Sequence, residues 1–238
     1  MAAFTEQELL AREPFLSLRG RDIALLMQRC LEKHMQKNQT LVMQDDWGES
    51  VFLLRSGMAK VRSYDEDGHE MIFSILSCGD VFGEMSLLDG QKRSADVVAM
   101  TPVTLIKFTA DVFKRVMETN SLFALALTQI QVCRLRELNQ RFMLQRADAT
   151  TRLLAAMAYL CRKHSGSRPT SVAWELPEIN QQEIGNLAGL TEETTCRIVR
   201  RLRARGVIGG RQRSLRILDP EMLRHQGLCQ SFVNAQQL

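Results

Sequence analysis

The apolar period of this sequence changes at about Thr109, and that change limits the folds open to it. Before it, TLVMQ, SVFLLRSGMAKVRSY, EMIFSIL, SADVVAM and VTLIKF are short runs of apolar and β-branched residues. Turn signals separate them at Asp45-Asp46, Asp65-Glu66-Asp67-Gly68, Cys78-Gly79-Asp80 and Asp89-Gly90. Short strands at regular spacing, with no long helix between them, predict a barrel or a sandwich. After Thr109, DVFKRVME reads as one helix, and Ser121 to about Leu144 then runs without glycine or proline. Leu127, Ile130, Leu135, Leu138 and Phe142 recur there at helical spacing, as if on one face. A stripe of that length favours a twin helix, and so a dimer, over a simple domain connector. Residues 5–35, ahead of the strands, read as short helices.

Farther on, Gln145 to Thr150 reads as a hinge and Thr151 to Lys163 as a second amphipathic helix. HSGSRPTS, over 164–171, reads as a loop, and VAWELPE holds a short strand. From Asn180 the text is NQQEIGNLAGLTEETTCRIVRRLRARGVI. Gln181 to Ala188 predicts a short helix, and Gly189 stands where a tight inter-helix turn needs positive φ. Ile184, Leu187 and Ile198 can close a small core. Thr191 is placed to cap a second helix over Glu192 to about Arg205, ended by Gly206. Val207 to Leu218 then reads as a two-stranded wing with Arg211 and Arg213 at its tip.

Charge agrees with a reader of polyanions. The chain carries a net charge of +4, but residues 1–120 hold 14 basic against 18 acidic side chains, and residues 121–238 hold 17 against 9. The second helix of the pair carries Arg197, Arg200, Arg201, Arg203 and Arg205. Its N-terminal turn is the part of a recognition helix that enters a major groove. Glu193, Cys196 and Arg197 share one face there. Arg197 can donate a bidentate pair to guanine, and Glu193 can accept from cytosine. Gln182, Thr191, Glu192, Arg200, Arg201, Arg211 and Arg213 complete the candidate contact set, the later arginines and the wing suiting phosphates.

Other classes find little support. The 6 cysteines and 4 histidines are dispersed, which argues against a disulfide framework, a zinc knuckle or any other metal set. No apolar run approaches the ~18 residues of a membrane helix, and the first residues lack the apolar core of a secretory signal. A cytoplasmic location is expected. No nucleophile, general base or metal set marks an enzyme.

One segment of the strand region carries a different chemistry. In GDVFGEMSLLDGQKRSA, Glu84 and Arg93 stand beside runs that look buried. They read either as an ion pair or as two ends of a ligand site. With Gly57 in LRSGMAKV and the helix-turn-helix text, this segment resembles the cyclic AMP receptor protein / fumarate-nitrate regulator family of bacterial transcription factors. The resemblance spans residues ~15–218 by motif order.

What the resemblance implies is an α+β chain. A jelly-roll-like β-roll for a cyclic nucleotide would occupy 1–120, and a dimerisation helix and hinge 121–146. A winged helix-turn-helix would occupy 147–222 and a tail 223–238. Gly83 and Met85 would offer backbone contacts, Glu84 would accept from the ribose 2′-hydroxyl, and Arg93 and Ser94 would hold the cyclic phosphate. Val61, Phe73 and Ser74 would wall the pocket, and Arg134 would approach the ligand. The adenine-reading Thr-Ser pair of the family is Leu138-Asn139 here; Asn139 can hydrogen-bond a purine edge and Leu138 cannot. The expected effector is a cyclic nucleotide, cyclic AMP foremost, without a metal. The expected partners are a second copy of the chain, palindromic double-stranded DNA and RNA polymerase, with no membrane. The alternatives are a ligand-independent regulator of the same type, or one that senses cyclic di-GMP, haem or redox state. The cysteine cluster of the family's iron–sulfur branch is absent.

Overall fold

Strands β3 (Ser50–Ser56) and β8 (Val103–Thr109) organise the N-terminal part because both of their faces are buried. Successive side chains of a strand point to opposite faces. Val51, Leu53, Ile106 and Phe108 therefore pack on one side, with Leu9, Phe15, Leu26, Phe113, Phe123 and Leu127. Phe52, Leu54, Val103 and Leu105 pack on the other, with Val42, Ala59, Phe82, Val97 and Ala99. Burial on both faces is why these segments read as apolar runs and not as alternation.

The structure, a computed structural model, describes residues 4–165, 174–211 and 214–219. The helices ahead of the sheets are α1 (Glu6–Leu10) and α2 (Arg21–Gln28). The remaining strands of the region are β1 (Cys30–Met35), β2 (Thr40–Val42), β4 (Ala59–Tyr64), β5 (Glu70–Leu76), β6 (Val81–Phe82) and β7 (Asp96–Ala99). They form two four-stranded sheets, ordered β1-β8-β3-β6 and β2-β7-β4-β5. A short helix, α3 (Met85–Asp89), interrupts the strands.

Part of the opening segment departs from the helices expected over 5–35. Cys30–Met35 is a strand, paired antiparallel to β8 from Cys30↔Phe108 to Met35↔Val103. Its residues CLEKHM lack an apolar alternation, and Leu31 is exposed. The edge of β8, not intrinsic propensity, makes this segment extended.

Beyond the sheets come α4 (Ala110–Thr119) and α5 (Ser121–Leu144), the second with the bounds its gap-free text predicts. Its apolar residues are not buried alike. Phe123 and Leu127 are buried in the core and Ile130 is half-buried, whereas Leu125, Val132, Leu135, Leu138 and Phe142 are exposed. The expected stripe is thus covered along its first half and bare along its second: Leu127 and Leu138, three turns apart, point the same way, but the core reaches only the first.

Contacts divide the chain into two compact units, residues 1–62 with 76–135 and residues 63–75 with 136–238. In the second unit α6 (Ala149–Ser165) is central: Leu153 to Cys161 are buried without interruption. The amphipathic reading of this helix is corrected accordingly. A helix apolar on every side is a core helix, and Ala155, Ala156 and Ala158 let neighbours approach it. Asp148 starts it two residues earlier than expected, accepting the N–H groups of Thr150 at 2.9 Å and Thr151 at 3.2 Å. His164 and Ser165, expected in a loop, extend the helix, and 166–171 of that loop lie outside the described residues. β9 (Trp174–Glu175), α7 (Gln181–Ala188), α8 (Glu192–Ala204), β10 (Ile208–Arg211) and β11 (Ser214–Ile217) follow. The last three strands pair in the order β10-β11-β9. No helix among the described residues is long and apolar enough to cross a membrane.

Candidate functional site

Glu84 and Arg93 are both nearly inaccessible, at 1% and 7% exposure, yet they are not each other's hydrogen-bonding partners. Arg93 spends one guanidinium nitrogen on the Gly83 carbonyl and the other on the Ser50 carbonyl at 2.6 Å. Its backbone is clamped to the 45–46 turn, where Asp45 N–H donates to the Arg93 carbonyl and Arg93 N–H to that of Asp46. Burial pushes the Arg93 guanidinium below the usual arginine range, opposed by the charges of Glu84 and Asp46. Room for this side chain depends on two glycines. A Cβ on Gly83 would lie 2.8 Å from the guanidinium, and one on Gly48 would lie 3.2 Å from Cζ.

Glu84 instead meets α5. Its Oε1 accepts from Gln131 Nε2 at 2.7 Å and Arg134 Nη1 at 2.8 Å. Arg134 also donates to the Val81 carbonyl. The other carboxylate oxygen, Oε2, is buried and has no partner. Such an atom calls for a donor, because an unsatisfied buried acceptor keeps its full desolvation cost. Arginine carries five N–H donors, so Arg93 retains some for an anion. One orphaned carboxylate oxygen and one buried guanidinium without a carboxylate partner fit a ligand that bears a hydroxyl and a phosphate.

The first unit thus brings together Gly83, Glu84, Arg93 and Arg134. Met85 and Ser94 flank them, both exposed, and Val61 lies half-buried on β4. Gln131 was not foreseen, although its place three residues before Arg134 puts both on one helix face. Phe73, Ser74 and Asn139 belong to the second unit. There Ser74 Oγ lies 3.4 Å from the Tyr159 hydroxyl, which also accepts from Ile75 N–H at 3.2 Å. Arg141 donates to the carbonyls of Phe73, of Ile72 at 2.6 Å and of Leu187 at 3.2 Å. Asn186 Nδ2 donates to Glu70 at 2.7 Å. Asn139 is exposed on α5.

The helix pair α7–α8 forms from local signals. Asn180 caps α7 reciprocally with Glu183: Glu183 N–H donates to Asn180 Oδ1 at 2.7 Å, and Asn180 N–H to Glu183 Oε2 at 3.1 Å. Gly189 takes φ +63° at the turn, as the sequence requires. Thr191 caps α8, its hydroxyl accepting from Thr194 N–H at 3.4 Å. Thr195, Ile198, Val199 and Leu202 face inward and close the core with Ile184 and Leu187.

The outer face of α8 presents Glu192, Glu193, Arg197, Arg200 and Arg201, all exposed, and Gln182 is exposed on α7. Among the described residues neither Arg197 nor Arg200 is tied to the rest of the chain. Arg201 is tied: it donates to Thr150 Oγ1 at 2.5 Å. Cys196 is half-buried, with its thiol 3.6 Å from Gln181 Oε1, so it packs between the helices. Arg203 donates to the Gly210 carbonyl at 3.3 Å and ties α8 to the wing. Arg211 ends β10, and Arg213 lies outside the described residues.

Comparison with known proteins agrees with both halves. Residues 32–120 match the model of the cyclic nucleotide-binding domain, and residues 151–226 that of the Crp-like helix-turn-helix domain. The chain is 27% identical over 195 residues to the cyclic AMP receptor protein of Thermus thermophilus, covering 82% of this chain and 87% of that one. Its fold is similar to that of FixK2 from Bradyrhizobium japonicum, with TM-score 0.72 and 20% identity, covering 82% and 96%. It is also similar to the c-di-GMP responsive global regulator CLP of Xanthomonas campestris, with TM-score 0.69 and 17% identity, covering 82% and 97%.

Proposed function

This chain belongs to the cyclic AMP receptor protein / fumarate-nitrate regulator family, and from that membership we propose that a cyclic mononucleotide, cyclic AMP, is its effector. It is a DNA-binding transcription regulator, not an enzyme, with a cyclic-nucleotide-binding domain ahead of its reader. The observation that carries the effector reading is the buried, partnerless Oε2 of Glu84 beside the carboxylate-free guanidinium of Arg93. Glu84 would accept the ribose hydroxyl, while Arg93 and Ser94 would hold the cyclic phosphate. The Thermus relative is named for cyclic AMP. Val61, in the same unit as Glu84 and Arg93, remains a proposed wall of the pocket.

The exposed stripe of α5 supports a homodimer. Leu125, Val132 and Asn139 repeat every seven residues, with Thr128, Leu135 and Phe142 between them, all exposed. That is the a/d pattern of a coiled coil, and an asparagine at a specifies two parallel strands in register. Two readers related by the same twofold would select a palindrome with half-sites one helical turn apart. Glu193 and Arg197 would read bases, Arg200 and the wing would hold phosphates, and RNA polymerase would be the regulatory partner. For the nucleotide to control DNA binding, it must bind the DNA-competent state more tightly than the other.

Calorimetry of the full chain with cyclic AMP, cyclic GMP and cyclic di-GMP tests the effector. Cyclic AMP should bind, and Glu84→Gln should weaken it ~10- to 100-fold, because it replaces a charged acceptor with a donor. No heat from any of the three, with DNA affinity intact, defeats the effector reading.

A further inference from the structure

A cavity that the effector and DNA readings do not use lies wholly within the second unit, where the end of α5 meets α6 and α7. Its volume is about 50 Å³. At ~10–15 Å³ per water-sized group, that is room for roughly three to five such groups. Leu144, Leu187 and alanines form its apolar walls, and Arg141, Gln145, Arg152 and Tyr159 supply its polar groups.

The charge of this lining is one-sided. Among the described residues neither guanidinium has a carboxylate within ion-pairing distance. Arg141 hydrogen-bonds to neutral carbonyls only and lies over the Tyr159 ring at 5.7 Å, with the Glu137 carboxylate acting on it from beyond ion-pairing distance. Arg152 donates to the Gly189 carbonyl at 3.2 Å, and its Nε is buried without a partner. The nearby acids are committed elsewhere. Glu137 is held by Arg162 at 3.3 Å and Lys163 at 4.0 Å. Asp148 accepts from the Thr151 hydroxyl at 2.6 Å and from two N–H groups. Desolvated cations without a counter-charge are costly, and guanidinium suits oxyanions because its N–H groups form a rigid fork.

We propose that this cavity is a binding site for a small tetrahedral oxyanion, phosphate or sulfate, held between Arg141 and Arg152. Nε of Arg152, the unused N–H groups of Arg141 and the Gln145 amide supply donors from both sides of the 145–148 turn. A free ion fits this space, whereas a nucleoside attached to it would lie outside in solvent, so the free ion is the ligand proposed. An ion here bridges the end of α5 to α6, and its binding favours whichever arrangement of the DNA reader keeps the two together.

The test uses the full chain in two ways: crystals soaked in selenate and read by anomalous scattering, and thermal unfolding titrated with phosphate at constant ionic strength. Three proteins are compared: wild type, Arg93→Leu (which removes the guanidinium of the proposed effector site) and Arg152→Gln. Selenate should occupy the cavity in the first two and be absent from the third. At phosphate tenfold above its dissociation constant, the folded-to-unfolded ratio should rise about 11-fold in the first two and stay level in the third. Arg152→Lys retains a cation able to reach Gly189 but lacks the fork. It should keep wild-type stability without phosphate and lose most of the rise. Selenate confined to the Glu84–Arg93 site or to α8 overturns the proposal, as does a full phosphate response in Arg152→Gln.

Discussion

Gly185→Ala places a methyl group on α7 against Thr195 of α8. The added Cβ would lie 2.4 Å from Thr195 Oγ1, and 3.3 Å from both Thr195 Cβ and the Leu190 carbonyl oxygen. Ordinary contact begins at 3.4 Å, so the first overlap is close to 1 Å. Thr195 cannot swing aside freely. It is fully buried, and its hydroxyl donates to the Thr191 carbonyl at 2.9 Å. Overpacking of this kind costs ~1–3 kcal/mol, while alanine is favoured over glycine in a helix by about 1 kcal/mol. The net expectation is a destabilisation of about 0–2 kcal/mol. Thr195→Ala removes the obstructing oxygen at its own cost, and Gly185→Ala should then gain its full ~1 kcal/mol. The two substitutions should couple by ~1–3 kcal/mol. The assay is native-state hydrogen exchange of the α7 and α8 amides in wild type, both single variants and the double variant. That readout is local and does not require the two units to unfold together. Additive free energies, or stabilisation by Gly185→Ala in both backgrounds, would refute the close approach.

Three further outcomes are expected. Arg197→Ala should cost ~1–3 kcal/mol and relax one base preference in a binding-site selection if its exposed guanidinium reads a base edge as proposed; an equal loss on all sequences would make it a phosphate contact. Leu135→Lys with Phe142→Lys, both on the exposed stripe of α5, should shift the chain to monomers in sedimentation and weaken DNA binding; an unchanged sedimentation profile would place the dimer contact elsewhere. Asp148 has its carboxyl held below its ordinary value of 3.8 by the Thr151 hydroxyl, then by the Thr151 and Thr150 N–H groups, against the effect of burial. Its contribution is whole above that value and is lost as pH falls through its own lower one. Protection of the first turn of α6 should therefore decline below about pH 4, and Asp148→Ala should cost about 1 kcal/mol near neutrality and remove that acid limb.

The features legible in the sequence were those with local causes. Gly189 at the turn, Thr191 at the cap and the break-free run of 121–144 each depend on residues within one turn of themselves. The reader's inner face followed from its period, and its outer face from what remained. Features that needed a distant partner were misread. Cys30–Met35 is extended only because β8 lies beside it. Leu127 and Leu135 read as one stripe until the β-sheet core claimed the first and left the second exposed. Gly185 looked unremarkable because its constraint is the hydroxyl of Thr195, ten positions away.

Glu84 and Arg93 show the same division at the site. The amino-acid sequence by itself determined that a carboxylate and a guanidinium flank a short turn between strands, and that an arginine-rich helix follows a tight glycine turn. Only the tertiary structure decided how those charges are used. Gln131 and Arg134, nearly fifty residues away, take one oxygen of Glu84, and the carbonyls of Gly83 and Ser50 take Arg93. The second oxygen is left buried and partnerless. Spacing along a chain dictates which groups are near in sequence; desolvation and pairing depend on what the fold brings against them.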